Sequence, residues 1–408
     1  MGNTVVDQIA PDGTLVHDVD RTLSQKRRLG LILDALPGAT LERIAGTKVV
    51  MYGDNAILSK QVTYLGNPWE VYKKRIQMPK EWAATYADAQ HRGLTPRFVG
   101  VYHYEGTTIF VDFEPTTYIQ HGLNNSSAHV ATNDLFQAQT LGQFSRVDQN
   151  DNRLTSVRAD QFRSYTRVGY EEKNPHIDVL DRFSTEFLNG SKIEGLAAVQ
   201  EMHAANWPDK FQNEWQGFYL EYRLSGFVKR HGLEHLLIVQ KEKRKSEYDY
   251  DLRLLRGGVT EHFGDLKASN IVVDDSPGNA AEKFFQCLDE YGRFWYVIYE
   301  HETWHGRDSR HLATIAWNEW RKSVGHVGRK GYDPLSYAGK FKEAVRFVGV
   351  KVLEINQANV GIVLKEFQKD FGQYLGQGNP RKPKVMIKKA DIDNFLIYKK
   401  SIEERATA

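Results

Sequence analysis

Residues 248–267 of the 408-residue chain read YDYDLRLLRGGVTEHFGDLK, and this stretch decides the fold of the region around it. Two runs with strand-like alternation flank the pair Gly257-Gly258, which is typical of a tight turn between neighbouring strands. Because side chains alternate between the two faces of a strand, Asp265 and Lys267 share one face of the second strand. If the strands pair across the glycine turn, we expect Asp251, Asp265 and Lys267 to converge at one edge of the sheet.

The order of elements around this hairpin predicts a mixed sheet flanked by helices, in an α+β protein. A helix comes first, then three strands, a polar loop, a second helix and a fourth strand. These elements are predicted at Asn213–Arg230, His235–Gln240, Tyr248–Leu254, Thr260–Lys267, Asp274–Gly278, Ala280–Tyr291 and Phe294–Tyr299. Meandering strands followed by a helical crossover are typical of such a sheet.

The remainder of the chain also reads as helices and strands. Towards the amino terminus we predict helices over Leu23–Leu36 and Pro68–Arg92, strands over Val49–Tyr52, Phe98–Tyr104 and Thr107–Phe113, and a polar loop over His121–Asp134. The residues Glu105-Gly106 are expected to form the turn between the last two strands. The tail is predicted to be helical from Gly339, then basic, with a last apolar run over Phe395–Tyr398.

The predicted cluster of Asp251, Asp265 and Lys267 has a definite chemical use. Two carboxylates can hold one or two Mg²⁺ ions, with water completing the octahedron. The metal polarises a phosphodiester and lowers the pKa of the attacking water. A nearby lysine can orient or activate that water and stabilise charge on the phosphate. The residues therefore predict metal-dependent hydrolysis of phosphodiesters.

Glu221 adds a third acid, on the helix that precedes the strands. It falls at helical spacing with Phe218, Leu224 and Val228, so it interrupts an apolar face. A carboxylate aimed at a sheet is costly unless it is paired or bound to a metal. Two interpretations stay open: Glu221 is a further metal ligand, or it reaches solvent or pairs with Arg223 or Lys229.

The order of residues resembles the motif of the PD-(D/E)XK nuclease superfamily. In this order an acid is followed after about a dozen residues by Asp-x-Lys on the next strand, and then by a helix and a strand. In this resemblance Asp251 matches the first acid, Asp265 the variable acid and Lys267 the lysine. Glu221 matches the extra helical acid of many members. The match covers about Asn213 to Glu302, roughly a quarter of the chain.

Two features depart from the family pattern. Tyr250 stands where the name-giving proline would be, a position that is often not proline, and Asp249 is a rival for the first acid. The size of the chain looks like that of a type II restriction endonuclease. That resemblance implies a homodimer that cuts double-stranded DNA at a short specific site with Mg²⁺. It also suggests three regions: residues 1–212 for recognition and assembly, 213–330 as the nuclease core, and 331–408 as a helical and basic segment packed on the core.

A second resemblance competes for the same residues. The string GDLKASNIVVD, at 264–274, looks like the catalytic loop of protein and aminoglycoside kinases, in which Asp265 would be the base and Asn270 would hold a metal. The rest of the chain argues against this, because no Gly-rich phosphate loop precedes a strand with a suitable lysine. His262 is also one residue too far from Asp265. A kinase-like phosphotransferase thus remains one alternative, and a non-catalytic DNA-binding protein on a nuclease-like scaffold is another.

The net charge of +2 neither demands nor excludes a nucleic-acid partner. Its distribution favours DNA, because basic clusters stand apart from the acidic cluster, at Lys26–Arg28, Lys73–Arg75, Lys241–Lys245 and Arg381–Lys389. Lysines and arginines bind backbone phosphates, and amides or hydroxyls bind phosphates or base edges. The expected DNA contacts are Lys243, Arg244, Lys245, Asn124, Asn125, Ser126, Ser127, Arg381, Lys382 and Lys384.

Composition excludes several other classes of protein. The single cysteine, Cys287, rules out an intramolecular disulfide and a multi-cysteine zinc site, and its helical context predicts a core position. Histidines at 301, 305 and 311 fit no standard metal-ligand spacing. No run approaches the ~18–20 apolar residues of a membrane span, so we expect a cytoplasmic protein with no membrane partner.

Overall fold

The computed structural model describes residues 4–66, 69–123, 126–170, 174–208, 210–239, 250–306, 310–326, 341–366, 368–369 and 384–402. The chain divides into two compact units. The first is Met1–Lys173 with Gln357–Gly361 and Ile392–Ile397, and the second is Asn174–Asn356 with Ile362–Asp391 and Tyr398–Ala408. Both units combine helices with sheets, which confirms the predicted α+β class. Within the described ranges, no helix is both long enough and apolar enough to cross a bilayer.

The first unit has twelve described strands, seven of which form one large sheet. Its strands are β1 (Val5–Ile9), β2 (Leu15–Val19), β3 (Thr40–Ile44), β4 (Thr47–Tyr52), β5 (Asn55–Gln61), β6 (Thr63–Tyr64), β7 (Lys73–Met78), β8 (Thr95–Tyr104), β9 (Thr107–Phe113), β10 (Ser126–Ala131), β11 (Gln143–Val147) and β12 (Arg153–Arg158). Its helices are α1 (Gln25–Ala35), α2 (Glu81–His91), α3 (Pro115–Gln120), α4 (Thr132–Leu141) and α5 (Ala159–Val168). The large sheet has the order β11-β12-β9-β8-β5-β4-β3, in which only the β5–β8 pair is parallel.

The hairpin β8–β9 forms where the sequence predicts it. Tyr104 pairs with Thr107 across the residues Glu105 and Gly106, whose φ angles are 44° and 93°. Positive φ at both turn positions matches the right-handed twist of the strands. Phe98 packs on Trp82 of α2, and Phe110 packs on Phe162 of α5. The hairpin is therefore buried between helices on both faces of the sheet.

Two predictions for the first unit are wrong. Only Glu81–His91 of the predicted helix Pro68–Arg92 is helical, because Lys73–Met78 forms β7. Lys74, Ile76 and Met78 are buried in alternation with more exposed residues, so the basic residues concealed a period of two. The predicted polar loop His121–Asp134 contains β10 and the start of α4, since the serines of β10 pair with Met78 and its neighbour on β7.

The second unit is also built on a seven-stranded sheet, and a small three-stranded sheet accompanies it. Its strands are β13 (Ile193–Glu194), β14 (Leu237–Val239), β15 (Leu252–Arg256), β16 (Val259–Asn270), β17 (Asp275–Ala280), β18 (Arg293–His305), β19 (Lys342–Asn356), β20 (Gln368–Lys369), β21 (Lys384–Lys388) and β22 (Leu396–Ser401). The helices are α6 (Pro175–Phe187), α7 (Gly195–Ala204), α8 (Trp215–Arg230), α9 (Ala281–Tyr291), α10 (Leu312–Ser323) and α11 (Val360–Glu366), with a 3₁₀ helix at Lys389–Asn394. Of these elements, α11, the 3₁₀ helix and β22 each extend over a boundary between the two units.

The order of the large sheet is β13-β19-β18-β16-β15-β14, and β22 also pairs with β19. The strands β16 and β18 are parallel, and the antiparallel pairs β14–β15, β15–β16 and β18–β19 surround them. The helix α9 lies in the connection between the two parallel strands, as a parallel crossover requires. The predicted mixed sheet is thus confirmed.

Two predictions for the second unit are wrong. The tail from Gly339, predicted to be helical, contains β19, a 15-residue strand paired along β18. This strand is buried on both faces, so it lacks the alternation of a half-exposed strand. The predicted loop Asp274–Gly278 lies largely in β17, which pairs with β21. A Cβ atom on Gly278 would lie 2.4 Å from the carbonyl oxygen of Val385, so this close pairing depends on glycine.

The division between the units falls at Lys173/Asn174, whereas the sequence placed a boundary after residue 212. The helix α6 belongs to the second unit because its aromatic side chains pack on the large sheet there. Phe183 lies against Tyr299, and Phe187 lies against Phe347. The roles assigned to the predicted regions remain predictions.

Candidate active site

The hairpin β15–β16 positions the candidate site. Leu252 pairs with Gly264, and the turn residues Gly257 and Gly258 have φ angles of 59° and 81°. Asp251 is the residue just before β15, and Asp265 is the residue after Gly264 in β16. Both therefore lie one position beyond the Leu252–Gly264 pair. The Oδ2 atom of Asp251 accepts a hydrogen bond of 3.0 Å from the backbone amide of Leu266. The carboxylate of Asp251 is therefore held against β16 just past the end of its partner strand.

The convergence predicted from the sequence is present. The Nζ atom of Lys267 lies 2.6 Å from Oδ2 of Asp265 and 3.6 Å from Oδ2 of Asp251. Asp265 is only 2% exposed, whereas about a quarter of the side chains of Asp251 and Lys267 is exposed. Two carboxylates and one ammonium thus meet at a place that solvent reaches from one side.

Burial and charge shift the pKa values in this cluster. Burial raises the pKa of Asp265 well above its usual range, the charge of Asp251 raises it further, and the ammonium of Lys267 opposes the shift. Burial alone would lower the pKa of Lys267, but the charges of Asp265 and Asp251 outweigh it and the pKa is raised. Lys267 is consequently an ammonium at neutral pH.

Glu221 lies on α8, which packs against β16. Its side chain is buried, at 5% exposure, and its charge contributes to the raised pKa of Lys267. Arg223, one of the partners considered from the sequence, donates instead to the hydroxyl of Tyr219. Among the described residues, no group of three or more His, Cys, Asp or Glu side chains is placed to hold a metal ion. Direct ligation by Glu221 would therefore require its side chain to reorient.

The donor chemistry of the site fits Mg²⁺. Asp251 and Asp265 offer hard carboxylate oxygens beside an opening to solvent, and Mg²⁺ is commonly bound through one or two carboxylates with water and substrate phosphates as the other ligands. The ammonium of Lys267 already lies within 4 Å of both carboxylates, so the cluster accommodates a cation.

Sequence reasoning missed a buried polar layer on the face of β16 opposite Asp265 and Lys267. His262 precedes Phe263 on β16 and packs against Trp295 and His176. The indole nitrogen of Trp295 donates to Glu354, 2.9 Å away. Burial lowers the pKa of both histidines, so they are neutral near pH 7. The period of two in β16 could have revealed this layer, because it places His262 on the face opposite Phe263.

The structure also bears on the kinase-like resemblance. Residues Gly264–Asn270, which would form the catalytic loop of a kinase, lie inside β16 and pair with β18. A strand in the interior of a sheet cannot serve as that loop. The core position of Cys287 is confirmed, since the thiol is buried and burial raises its pKa to about 11.

The expected DNA contacts are only partly described. Ser126 and Ser127 lie on β10, where the hydroxyl of Ser127 accepts a hydrogen bond from Arg75, and Lys384 lies on β21. The remaining expected contacts, and the rival acid Asp249, lie outside the described residues; they are Asn124, Asn125, Lys243, Arg244, Lys245, Arg381 and Lys382. The basic tail residue Lys389 donates to the carbonyl oxygens of Asn270 and Ile271 instead of standing free.

Residues 54–166 match the family described as methylase-associated X1. This segment runs from the turn before β5 to α5, so it lies in the first unit and not in the unit that holds Asp251, Asp265 and Lys267. No curated protein matches the chain. The matched residues are roughly a quarter of the chain, and the description of the family associates it with a methylase.

Proposed function

We propose that the chain is a Mg²⁺-dependent endonuclease of a restriction system that hydrolyses DNA phosphodiesters, in the manner of a type II restriction endonuclease. The observation that carries the proposal is the cluster of Asp251, Asp265 and Lys267 at the end of the β15–β16 pairing. The match of residues 54–166 to a methylase-associated family supports the biological setting, because a restriction nuclease needs a partner methylase to protect host DNA.

In this proposal Asp251 and Asp265 hold the metal. Bound Mg²⁺ would polarise the phosphodiester and lower the pKa of the attacking water. Lys267 is an ammonium, so it acts by donating hydrogen bonds: it orients the water and stabilises negative charge on the phosphate. The charge of Glu221 helps to keep Lys267 protonated, and Glu221 is a candidate third ligand only after reorientation.

The test is cleavage of plasmid and phage DNA of varied sequence and methylation state in the presence of Mg²⁺. We expect defined fragments from the wild-type protein and a loss of about 100-fold or more in rate for Asp265→Asn and for Lys267→Met. The matched control is Glu300→Gln, which removes an acid from another carboxylate–lysine pair of the same sheet, 2.9 Å from Lys351. It should cleave like the wild type.

The alternative of a non-catalytic DNA-binding protein predicts a different result. Salt-sensitive DNA binding without cleavage, unchanged by Asp265→Asn, would leave a DNA-binding protein with a nuclease-like scaffold. Intact DNA under every condition, with no difference between wild type and variants, would contradict the nuclease proposal.

We further propose that the active species is a homodimer on double-stranded DNA, since cleavage of both strands at a symmetric site favours two-fold symmetry. Sedimentation with and without a cleavable duplex would test it. A monomer that cuts both strands at one encounter would contradict the dimer but not the nuclease.

A further inference from the structure

The first unit contains a polar cleft of about 400 Å³. Its walls come from the first turns of α1, the β3–β4 hairpin, the end of β5 and the start of α2. The charged side chains that line it are Arg28, Arg43, Lys48, Lys60 and Glu81. Four cations thus face one carboxylate, and none of these cations except Arg28 belongs to a basic cluster that the sequence singled out.

These cations lack acidic partners within the described part of the chain. The structure records hydrogen bonds from Arg28 to the hydroxyl of Ser59, at 3.4 Å, and from Arg43 to the carbonyl oxygen of Gly46, at 2.8 Å, but no ion pair to any of the four. Burial lowers the pKa of Arg28, and no carboxylate opposes that shift. The two hydrogen bonds position the guanidinium groups and leave their charge available to a ligand.

The register of the β3–β4 hairpin brings two of the cations together. Arg43 is the direct cross-strand partner of Lys48, so their side chains leave the same face of the hairpin. The two-residue turn between the strands is Ala45-Gly46, with φ angles of 45° and 80°. Like charges directly opposite each other destabilise an antiparallel pair. A ligand that carries negative charge would remove this repulsion.

The amino-terminal end of α1 adds to the positive potential of the cleft. Gln25, which lines the cleft, is the first residue of this 11-residue helix, and the hydroxyl of Ser24 caps it by accepting from the amide of Arg27. The partial positive charge of a helix amino terminus favours anions. It acts here beside four side-chain cations, which are the main source of the potential.

We propose that this cleft binds phosphate groups of the DNA backbone. The donors are cations, which bind phosphates without reading the base sequence. The large aromatic side chain in the wall, Trp82, is 2% exposed, so it offers no surface on which a base could stack. The identification of DNA as the ligand rests on the proposed nuclease function. The preference of the cleft for anions does not depend on that function.

The test is DNA binding by the full chain without divalent metal, so that cleavage cannot interfere. A fluorescently labelled duplex is titrated at several salt concentrations. Each lost phosphate contact reduces the salt slope by about 1, so Arg43→Ala/Lys48→Ala should make the slope shallower by about 2. The charge-matched control is Arg92→Ala/Arg153→Ala, two exposed arginines of the same unit that already face carboxylates. It should leave the slope unchanged.

A single charge reversal separates binding from folding. Lys48→Glu would convert the repulsion with Arg43 into an attraction across the hairpin, so the melting temperature should stay constant or rise while DNA affinity falls. A fall in both would mean that the loss of affinity reflects unfolding and would overturn the cleft as its cause.

The remaining outcomes are distinct from those of the nuclease test. Equal salt slopes for the cleft variant and its control would overturn the inference. If inorganic phosphate or tripolyphosphate protects the wild type thermally, but not the cleft variant, and DNA binding is unchanged, the cleft takes a free phosphate compound and the DNA assignment is wrong. Cleft-dependent DNA binding without any cleavage would uphold the inference and contradict the nuclease proposal.

Discussion

The ammonium of Lys267 lies 2.6 Å from the carboxylate of Asp265, two positions away on the same face of β16. Asp251 lies 3.6 Å from the same nitrogen, and the charge of Glu221 acts on it as well. Three acids therefore act on one cation in a largely buried place. This imbalance means that the stability of the second unit depends on the lysine or on a cation that can replace it.

Lys267→Met should destabilise the protein by about 3 kcal/mol, because it leaves buried acids without their counter-ion. Added Mg²⁺ should raise the melting temperature of this variant more than that of the wild type, since the metal supplies the missing charge. The control is Lys351→Met, which breaks the ion pair with Glu300 at 2.9 Å elsewhere in the sheet. An equal response of both variants to Mg²⁺ in thermal unfolding would contradict a cation site at Asp251 and Asp265.

Glu221→Gln separates the two interpretations of this acid. As the side chains lie, Glu221 is a buried acid near the site that does not ligate the metal, so its neutral replacement removes negative charge there and should weaken Mg²⁺ binding by about tenfold, as the loss of outer contacts of metal sites does. Asp251→Asn, which alters a proposed ligand directly, should weaken it much more. Titration calorimetry with Mg²⁺ measures both. An effect of Glu221→Gln as large as that of Asp251→Asn would make Glu221 a ligand.

The pairing of β15 with β16 was predictable from the sequence, because it depends on the two-residue turn and the period of two. The register was not, because a shift between Leu254 and Leu255 is what places Asp251 opposite Asp265 and on the same face as Lys267. Strands such as β7 and β19 were not predictable in this way. Their burial comes from partners far along the chain, and in β7 a buried lysine, Lys74, stands where an apolar residue would mark the pattern.

The cationic cleft of the first unit was not predictable for a related reason. Arg43, Lys48 and Lys60 are single basic residues in the sequence, and only the sheet and its hairpin gather them around Arg28. Charge runs such as Lys73–Arg75 were more conspicuous, yet in the structure Lys74 is buried and donates to the carbonyl oxygen of Asp7. The density of charge along the chain is therefore a poor guide to charge in space.

Two glycines should respond oppositely to alanine. Gly278→Ala would place a methyl group 2.4 Å from the carbonyl oxygen of Val385, so it should separate β17 from β21 and destabilise the protein by about 2 kcal/mol. Gly217→Ala lies within α8 and meets nothing within 4 Å, so it should stabilise the protein by up to about 1 kcal/mol through helix propensity. Urea unfolding measures both. A neutral Gly278→Ala would contradict the close β17–β21 pairing.

The second unit should lose stability in mild acid because it buries neutral histidines. Burial lowers the pKa of His301 to about 4, and the side chain is 1% exposed. The unfolded chain, with an ordinary histidine pKa near 6.5, takes up this proton first, so the contribution is full above about pH 6.5 and is lost as the pH falls towards 4.

Between pH 7 and pH 5 this single group should cost about 2 kcal/mol of unfolding free energy. His301→Gln should remove that part of the pH dependence, even if the loss of the hydrogen bond with Thr303 lowers stability at every pH. The control is the exposed His91→Gln, which should leave the difference between the two pH values unchanged. Urea unfolding followed at both pH values gives the comparison, and an identical pH dependence for both variants would show that His301 titrates normally in the folded protein.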